Sequence, residues 1–342
     1  MSSLYVNPYN VLMTTQVLGL DIGGANLKAA HIGGIARTVA FPLWKQPERL
    51  TAELQSTIRA MPEHAVLAVT MTGELCDCFA TGCAGVRAIL QSVRAAAGSM
   101  PIFVWCTSGQ FLSFDEAMEA PLRVAAANWL AEAYLLAQQF CDERVLLIDT
   151  GSTTTDIAYL NRAVPEPRAR TDVERLATGE LVYTGMRRTP ICAVLGMSVA
   201  AEFFATMMDA YLLLGHLPEN VDDCDSADGQ PMTRARAHAR IARLRCADVE
   251  CFSEADARDL AEQAVRVQQS AVLAACRRVL ADRPPVERVI VAGSGEVLGR
   301  HVAQQLDRRA TSLADTFGTG LSEAACAYAA AVLLAQEQSD GR

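Results

Sequence analysis

The 342-residue chain has no apolar run approaching the roughly 20 residues that a membrane-spanning helix needs. It has no long basic run either, and its formal net charge is −9. Nucleic acid and anionic membranes are therefore not expected partners, although a local basic pocket for an anionic substrate remains open. The first charged residue is Asp21, so no basic segment precedes the early apolar residues and no secretory signal is expected. No Cys-x-x-Cys pair occurs among the 11 cysteines, whose number is odd and whose spacing is scattered. That pattern reads as free, mostly buried thiols in a reducing cytoplasm. The tightest group, Cys76, Cys78 and Cys83, lacks a fourth ligand at zinc spacing. What is present is ordinary globular material, 51% hydrophobic and 20% charged, long enough for two domains.

The chain is organised around Val17 to Ile32, VLGLDIGGANLKAAHI. An apolar run ends in Asp21, two glycines follow, and a second apolar run returns, as in a strand, tight turn and strand. Gly23 and Gly24 lack Cβ and let backbone N–H groups approach a ligand, with Asn26 and Lys28 just beyond. A carboxylate beside exposed amides suits a magnesium–phosphate cradle. Taken alone, the stretch is equally an ordinary glycine-turn hairpin. A second copy alters the balance. Val145 to Leu160, VLLIDTGSTTTDIAYL, aligns without gaps and repeats Asp21 and Gly23 as Asp149 and Gly151, 128 positions later. Ser152, Thr153, Thr154 and Thr155 add hydroxyl donors, and Asp156 adds a carboxylate. Two such motifs point to a duplicated domain with two phosphate-binding turns facing each other.

The chain in order predicts a third strand at Ile35 to Phe41, a helix at Pro47 to Met61 and a strand at Ala65 to Thr72. A helix over Gly85 to Ala97 and a strand over Pro101 to Thr107 follow. This β-β-β-α-β-α-β order implies an α/β domain with a mostly parallel, buried sheet. Pro121 to Phe140 reads as one apolar helix carrying Asn128, a residue that must find a partner if buried. Arg162 to Thr178 reads as loop or β-excursion, and Gly196 to Leu214 as an amphipathic helix. Asp222, Asp223, Asp225 and Asp228 form an acidic loop that could hold a cation but reads better as solvated. A basic helix at Thr233 to Arg245 places Arg236, Arg240 and Arg243 on one face, best read as a salt-bridged surface. Ser253 caps a long helix to about Ala281, and Arg288 to Gly295 is a strand entering a Gly-Ser-Gly turn. The first dozen residues are polar and turn-like, with Met13 as an alternative start.

The paired Asp-Gly turns resemble the phosphate-1 and phosphate-2 loops of the sugar kinase, actin and heat-shock chaperone superfamily. That resemblance implies two actin-like (ribonuclease H-like) α/β domains around a ligand cleft. The first would span 1–125, completed by a C-terminal helix at 321–342. The second would span 126–320 with a helical and acidic-loop insertion. Nucleoside-binding glycines would lie at Gly293, Ser294 and Gly295. The motifs DIGGANLK from Asp21, MTGELCDCF from Met71, AAANWL from Ala125 and DTGSTTTDI from Asp149 resemble, in order and spacing, one narrower family, as do GELVYTG from Gly179 and AEFFAT from Ala201. It is the hydantoinase/oxoprolinase-related family of tetrahydromethanopterin-linked C1-transfer pathway proteins, whose archaeal relatives make the furfurylamine ether of methanofuran.

The resemblance implies a cytoplasmic transferase acting on two small molecules. It would join an aminomethyl-furanmethanol diphosphate to the phenol of a tyramine- or tyrosine-derived partner and release diphosphate, in methanofuran or methylofuran synthesis. Asp21 and Asp149 would hold Mg2+, with Asp156 as a further carboxylate. Gly23, Gly24, Asn26, Gly151 and the Ser152 to Thr155 turn would hold diphosphate oxygens, and Lys28 would be a counter-charge. Glu74 and Asn128 are candidate substrate contacts, and Glu74 or Asp77 a candidate base. Two rivals stay open: an ATP-dependent enzyme of the sugar kinase or hydantoinase/oxoprolinase type, and a non-catalytic ATP-binding scaffold. Nothing in the sequence sets an oligomeric state; a homodimer is kept as an expectation.

Overall fold

A computed structural model describes residues 16–340; the segment before Gln16, with the Met13 start, lies outside the described residues. Two six-stranded sheets carry the chain. The first contains β1 (Val17–Ile22), β2 (Asn26–His31), β3 (Ala36–Ala40), β4 (Val66–Met71), β5 (Ile102–Trp105) and β6 (Phe111–Ser113), ordered β3-β2-β1-β4-β5-β6. The second contains β7 (Arg144–Thr150), β8 (Thr155–Asn161), β9 (Val164–Pro165), β10 (Leu181–Val182), β11 (Arg288–Ala292) and β12 (Arg309–Ser312). Its order is β10-β8-β7-β11-β12, with β9 beside β8.

The duplication extends to individual hydrogen bonds. β1 runs antiparallel to β2 and parallel to β4, as β7 does to β8 and β11. Gly23 N–H donates to Asn26 O at 3.0 Å, and Gly151 N–H donates to Thr154 O at 2.9 Å. Both parallel cores are continuous apolar runs because helices cover both faces of each sheet. Leu50–Arg59 and Gly82–Ala97 pack on one face of the first sheet. Asn128–Gln139 and the C-terminal Ala325–Asp340 pack on the other. Asn128–Gln139 also contributes Ala133, Leu136 and Ala137 to a core with β7 and β8, so it joins the two lobes. The second sheet's own core adds Met207–Leu213, Arg234–Arg243, Glu254–Leu280 and Glu296–Gln305.

Five sequence expectations are corrected. The helix expected over Pro121 to Phe140 is broken: Pro121–Arg123 makes a short 3-10 turn, Ala126 turns left-handed at φ 47, and the helix starts at Asn128. Asn128 is therefore a helix-start residue, not an interior one. Of Gly196 to Leu214, only Met207–Leu213 is α-helical, because Gly196, at φ 63, closes the preceding short helix and Thr206 with Asp209 caps a new one. Arg162 to Thr178 contains a helix, Asp172–Thr178, capped by Thr171 and Glu174 and ended by Gly179 at φ 85. The acidic loop is pinned to arginines: Asp223 meets Arg187 at 2.6 Å and Asp228 meets Arg240 at 3.0 Å. Arg240 is not a surface residue, since it and its partner Asp209 are both fully buried.

Gly19 is where the C-terminal helix seats on β1. A Cβ there would lie 1.8 Å from Ala327 O, a backbone atom that cannot yield cheaply. Gly19→Ala should therefore destabilise by about 1–3 kcal/mol or more, read as a lower urea midpoint at unchanged slope. An unaltered midpoint would mean that the helix does not seat there.

Candidate active site

The two glycine turns meet across a cleft of about 360 Å³. Asn26 Nδ2 donates to Ser152 Oγ at 3.2 Å, a direct bond between the two motifs. Gly23, Gly24 and Asn26 line one wall, and Gly151, Ser152, Thr153 and Thr154 line the other. Thr155 is the exception: its hydroxyl is buried and donates to Thr184 O at 2.8 Å, supporting the turn from beneath.

Asp21, Lys28 and Asp149 lie at the centre. Lys28 Nζ is 3.9 Å from Asp21 Oδ2, its cross-strand neighbour in the β1–β2 register. Burial opposes the Lys28 charge, but Asp21 above all, then Cys326, Asp149 and Glu132, outweigh it and hold the ammonium above its ordinary pKa. For Asp21 burial prevails over Lys28 and Asn128, and the carboxyl is pushed up. Its Oδ1 is buried without a hydrogen-bond partner. A buried, unpaired carboxylate oxygen beside ligand-facing amides fits a hard divalent cation, which supplies the missing charge.

The repeat is broken in charge. Asp149 faces Asp156 across β7 and β8 where Asp21 faces Lys28 across β1 and β2. The cation for Asp156 comes instead from Arg175, at 2.8 Å, which also approaches Asp172 at 3.5 Å and stacks 3.8 Å from the Trp129 ring centroid. Arg175 is buried in the helix Asp172–Thr178, where the sequence predicts loop or β-excursion. The signal that could have found it is the capping pattern Thr171-x-x-Glu174.

Glu74 borders the cleft, buried, with Oε2 unpartnered. Burial is the main cause of a carboxyl pKa pushed up to about 7. Asp77 borders the same cleft. Asn128 lines it too, and its Oδ1 accepts from the adjacent Trp129 N–H at 2.8 Å in the first turn of the helix. Gly293, Ser294 and Gly295 are not among the residues lining the cleft, but their turn abuts the strand end that carries Asp149: a Cβ at Gly293 would lie 2.3 Å from Asp149 Oδ1, and Gly295 N–H donates to Thr150 O at 2.9 Å. Three further features escaped sequence reading. Arg188 stacks 3.9 Å from the Trp44 ring centroid across the cleft mouth. Glu132, on an otherwise apolar helix, and Cys326, in an alanine run, meet Asp149 from below.

These paired sheets and turns define an actin-like ATPase or sugar kinase fold. Among solved structures, nucleotide-free acetone carboxylase is similar, with a TM-score of 0.53, 10% identity and coverage of 93% of this chain and 70% of that one. The hydantoinase/oxoprolinase family model matches residues 65–337, and the chain belongs to that family. A curated relative from Methanocaldococcus jannaschii, (4-{4-[2-(gamma-L-glutamylamino)ethyl]phenoxymethyl}furan-2-yl)methanamine synthase, is 31% identical over 96% of this chain and its own full length. The Methanococcus vannielii protein of the same name is 26% identical over 58% of this chain and 94% of its own.

Replacing Arg175 by Ala leaves Asp156 and Asp172 without their cation in a buried setting. Such uncompensated pairs cost about 3–5 kcal/mol, and Arg175→Ala should lose that much in chemical denaturation. A loss below about 1 kcal/mol would show the pair to be solvent-screened.

Proposed function

We propose that the protein joins an aminomethyl-furanmethanol diphosphate to the phenol of a tyramine- or tyrosine-derived partner, with diphosphate as leaving group, in synthesis of a methanofuran-type cofactor. The observation that carries this is the Asn26–Ser152 bridge, which joins the two facing phosphate-type turns around Asp21, Lys28 and Asp149. The full-length likeness to a synthase whose product holds a phenoxymethyl-furan ether supplies the substrate class.

In this reading the amides of Gly23, Gly24 and Gly151 and the hydroxyls of Ser152, Thr153 and Thr154 hold the diphosphate oxygens, aided by Asn26. Lys28 stabilises charge as the C–O bond breaks and diphosphate leaves with the electron pair. Asp21 and Asp149, with Asp156 nearby, would hold Mg2+, which when bound neutralises the leaving group. Glu74 takes the phenol proton, and the phenolate oxygen bonds to the furanylmethyl carbon. Its nearly neutral pKa matches that task. Trp129 and Asn128 bound the space that the rings would occupy. An ATP-dependent reaction is the competing reading, since acetone carboxylase works with ATP.

The test mixes enzyme, Mg2+, the furanmethyl diphosphate and the phenol without ATP, and follows pyrophosphate and ether together. Asp21→Asn and Asp149→Asn should each abolish ether formation in folded protein, because an amide cannot replace an anionic ligand. Lys28→Ala should lose about 10²–10³ in rate and keep some turnover. Turnover that requires ATP would transfer the assignment to the competing reading.

Glu74 gives a pH prediction. A base must be ionised, so kcat/KM should rise through about pH 7, and Glu74→Gln should lower it by about 10²–10⁴ while Glu74→Asp recovers part. The folded pKa lies above the unfolded value of 4.5, so ionising Glu74 costs stability as pH rises through about 7. Glu74→Gln should thus be the more heat-stable protein above that pH. A Glu74→Gln variant that keeps its activity, with a flat kcat/KM profile through pH 7, would leave Glu74 a packing residue.

A further inference from the structure

Beneath the cleft, a ligand oxygen from Glu132, one from Asp149 and Cys326 Sγ all lie within 4.8 Å of one another. They come from three elements: the lobe-joining helix Asn128–Gln139, the end of β7, and the C-terminal helix Ala325–Asp340. Cys326 Sγ and Glu132 Oε2 are 3.5 Å apart. That is about the separation of a sulfur at 2.3 Å and an oxygen at 2.0 Å on one tetrahedral ion.

Two buried oxygens here have no hydrogen-bond partner: Glu132 Oε1, and Asp21 Oδ1 on β1 of the other sheet. Both residues are almost wholly buried, at 1% and 3% exposure. Charge points the same way. Asp21, Asp149 and Glu132 surround the single ammonium of Lys28, and Asp156 is already paired with Arg175. Ionised, the three carboxylates exceed the one ammonium by two charges and a Cys326 thiolate would add a third, an excess that a divalent cation would largely offset.

We propose that Glu132, Asp149 and Cys326 form a divalent-cation seat below the phosphate turns, for a borderline thiophilic ion such as Zn2+ or Co2+. It goes beyond the diphosphate-bound Mg2+ of the proposed reaction and does not depend on that reaction. The carboxylates suit a hard ion, and the thiolate selects against Mg2+ and Ca2+. The ion would tie the C-terminal helix to the floor of the cleft. Binding would release the Cys326 proton, and any proton held on Glu132, to solvent.

The test strips the full-length protein with a chelator and titrates it with Co2+ in excess Mg2+. One equivalent should bind and give a thiolate-to-cobalt charge-transfer band in the near ultraviolet. Cys326→Ser should lose the band, Glu132→Gln should weaken binding by about 10–100-fold, and Asp21→Asn should retain the band. Thermal unfolding should shift upward with the ion in wild type. Should Cys326→Ser fail to fold, X-ray absorption of the zinc-loaded wild type decides: one sulfur neighbour among oxygens supports the seat. A band that persists in Cys326→Ser assigns the metal to another of the 11 cysteines and overturns the proposal. So would all-oxygen coordination, or no stoichiometric binding, which would leave a proton shared by Glu132 and Asp149.

Discussion

The cleft is short of positive charge, and most of its features answer to that. Asp21, Glu74, Asp149, Asp156 and Asp172 border one cavity, opposed there by Lys28, Arg175 and Arg188. Buried carboxylates resist ionisation, and Asp21, Glu74 and Asp149 are all pushed up by burial. A diphosphate entering alone would add negative charge to this deficit. A metal–diphosphate complex would not, and the amides and hydroxyls of the two turns offer it neutral donors. Acidic walls and phosphate-type turns thus become compatible once a cation comes with the ligand.

Duplication sets the frame, and departures from symmetry set the chemistry. Both turns close with the same Gly N–H to carbonyl bond, so each presents its backbone in the same way. The position seven beyond each aspartate is Lys28 in one copy and Asp156 in the other. One lobe therefore carries its cation within the hairpin, and the other recruits Arg175 from a separate helix. The two lobes are held by Asn26–Ser152 above and by the helix Asn128–Gln139 below. Any motion that opens the cleft must break the first while the second stays packed.

The strands and both turns were legible because their signals are local: apolar runs ended by Asp and Gly, repeated at fixed offset. β1, β4, β7 and β11 fall within the stretches that the apolar pattern marked. Helix limits were less legible where tertiary contacts decide them. Nothing in the alanine-rich run around Ala126 announces its left-handed turn, which makes Asn128 a helix start facing the cleft. Arg175 was hidden because a seven-residue helix in a polar segment carries little periodicity. Glu132 and Cys326 were illegible in principle, since their meeting with Asp149 depends on a helix 194 positions away folding back. The Gly-Ser-Gly turn was legible as a turn, and its glycines let it approach Asp149 and Thr150 closely.

The central claim is that the two turns together bind a metal-complexed diphosphate. Calorimetric titration with pyrophosphate and with ATP, each with and without Mg2+, tests it most directly. Pyrophosphate should bind at one site only when Mg2+ is present, more tightly than ATP, and Asp21→Asn or Asp149→Asn should each remove the binding. Tight binding of ATP with no binding of pyrophosphate, or pyrophosphate binding unaffected by Mg2+ and by both substitutions, would contradict it.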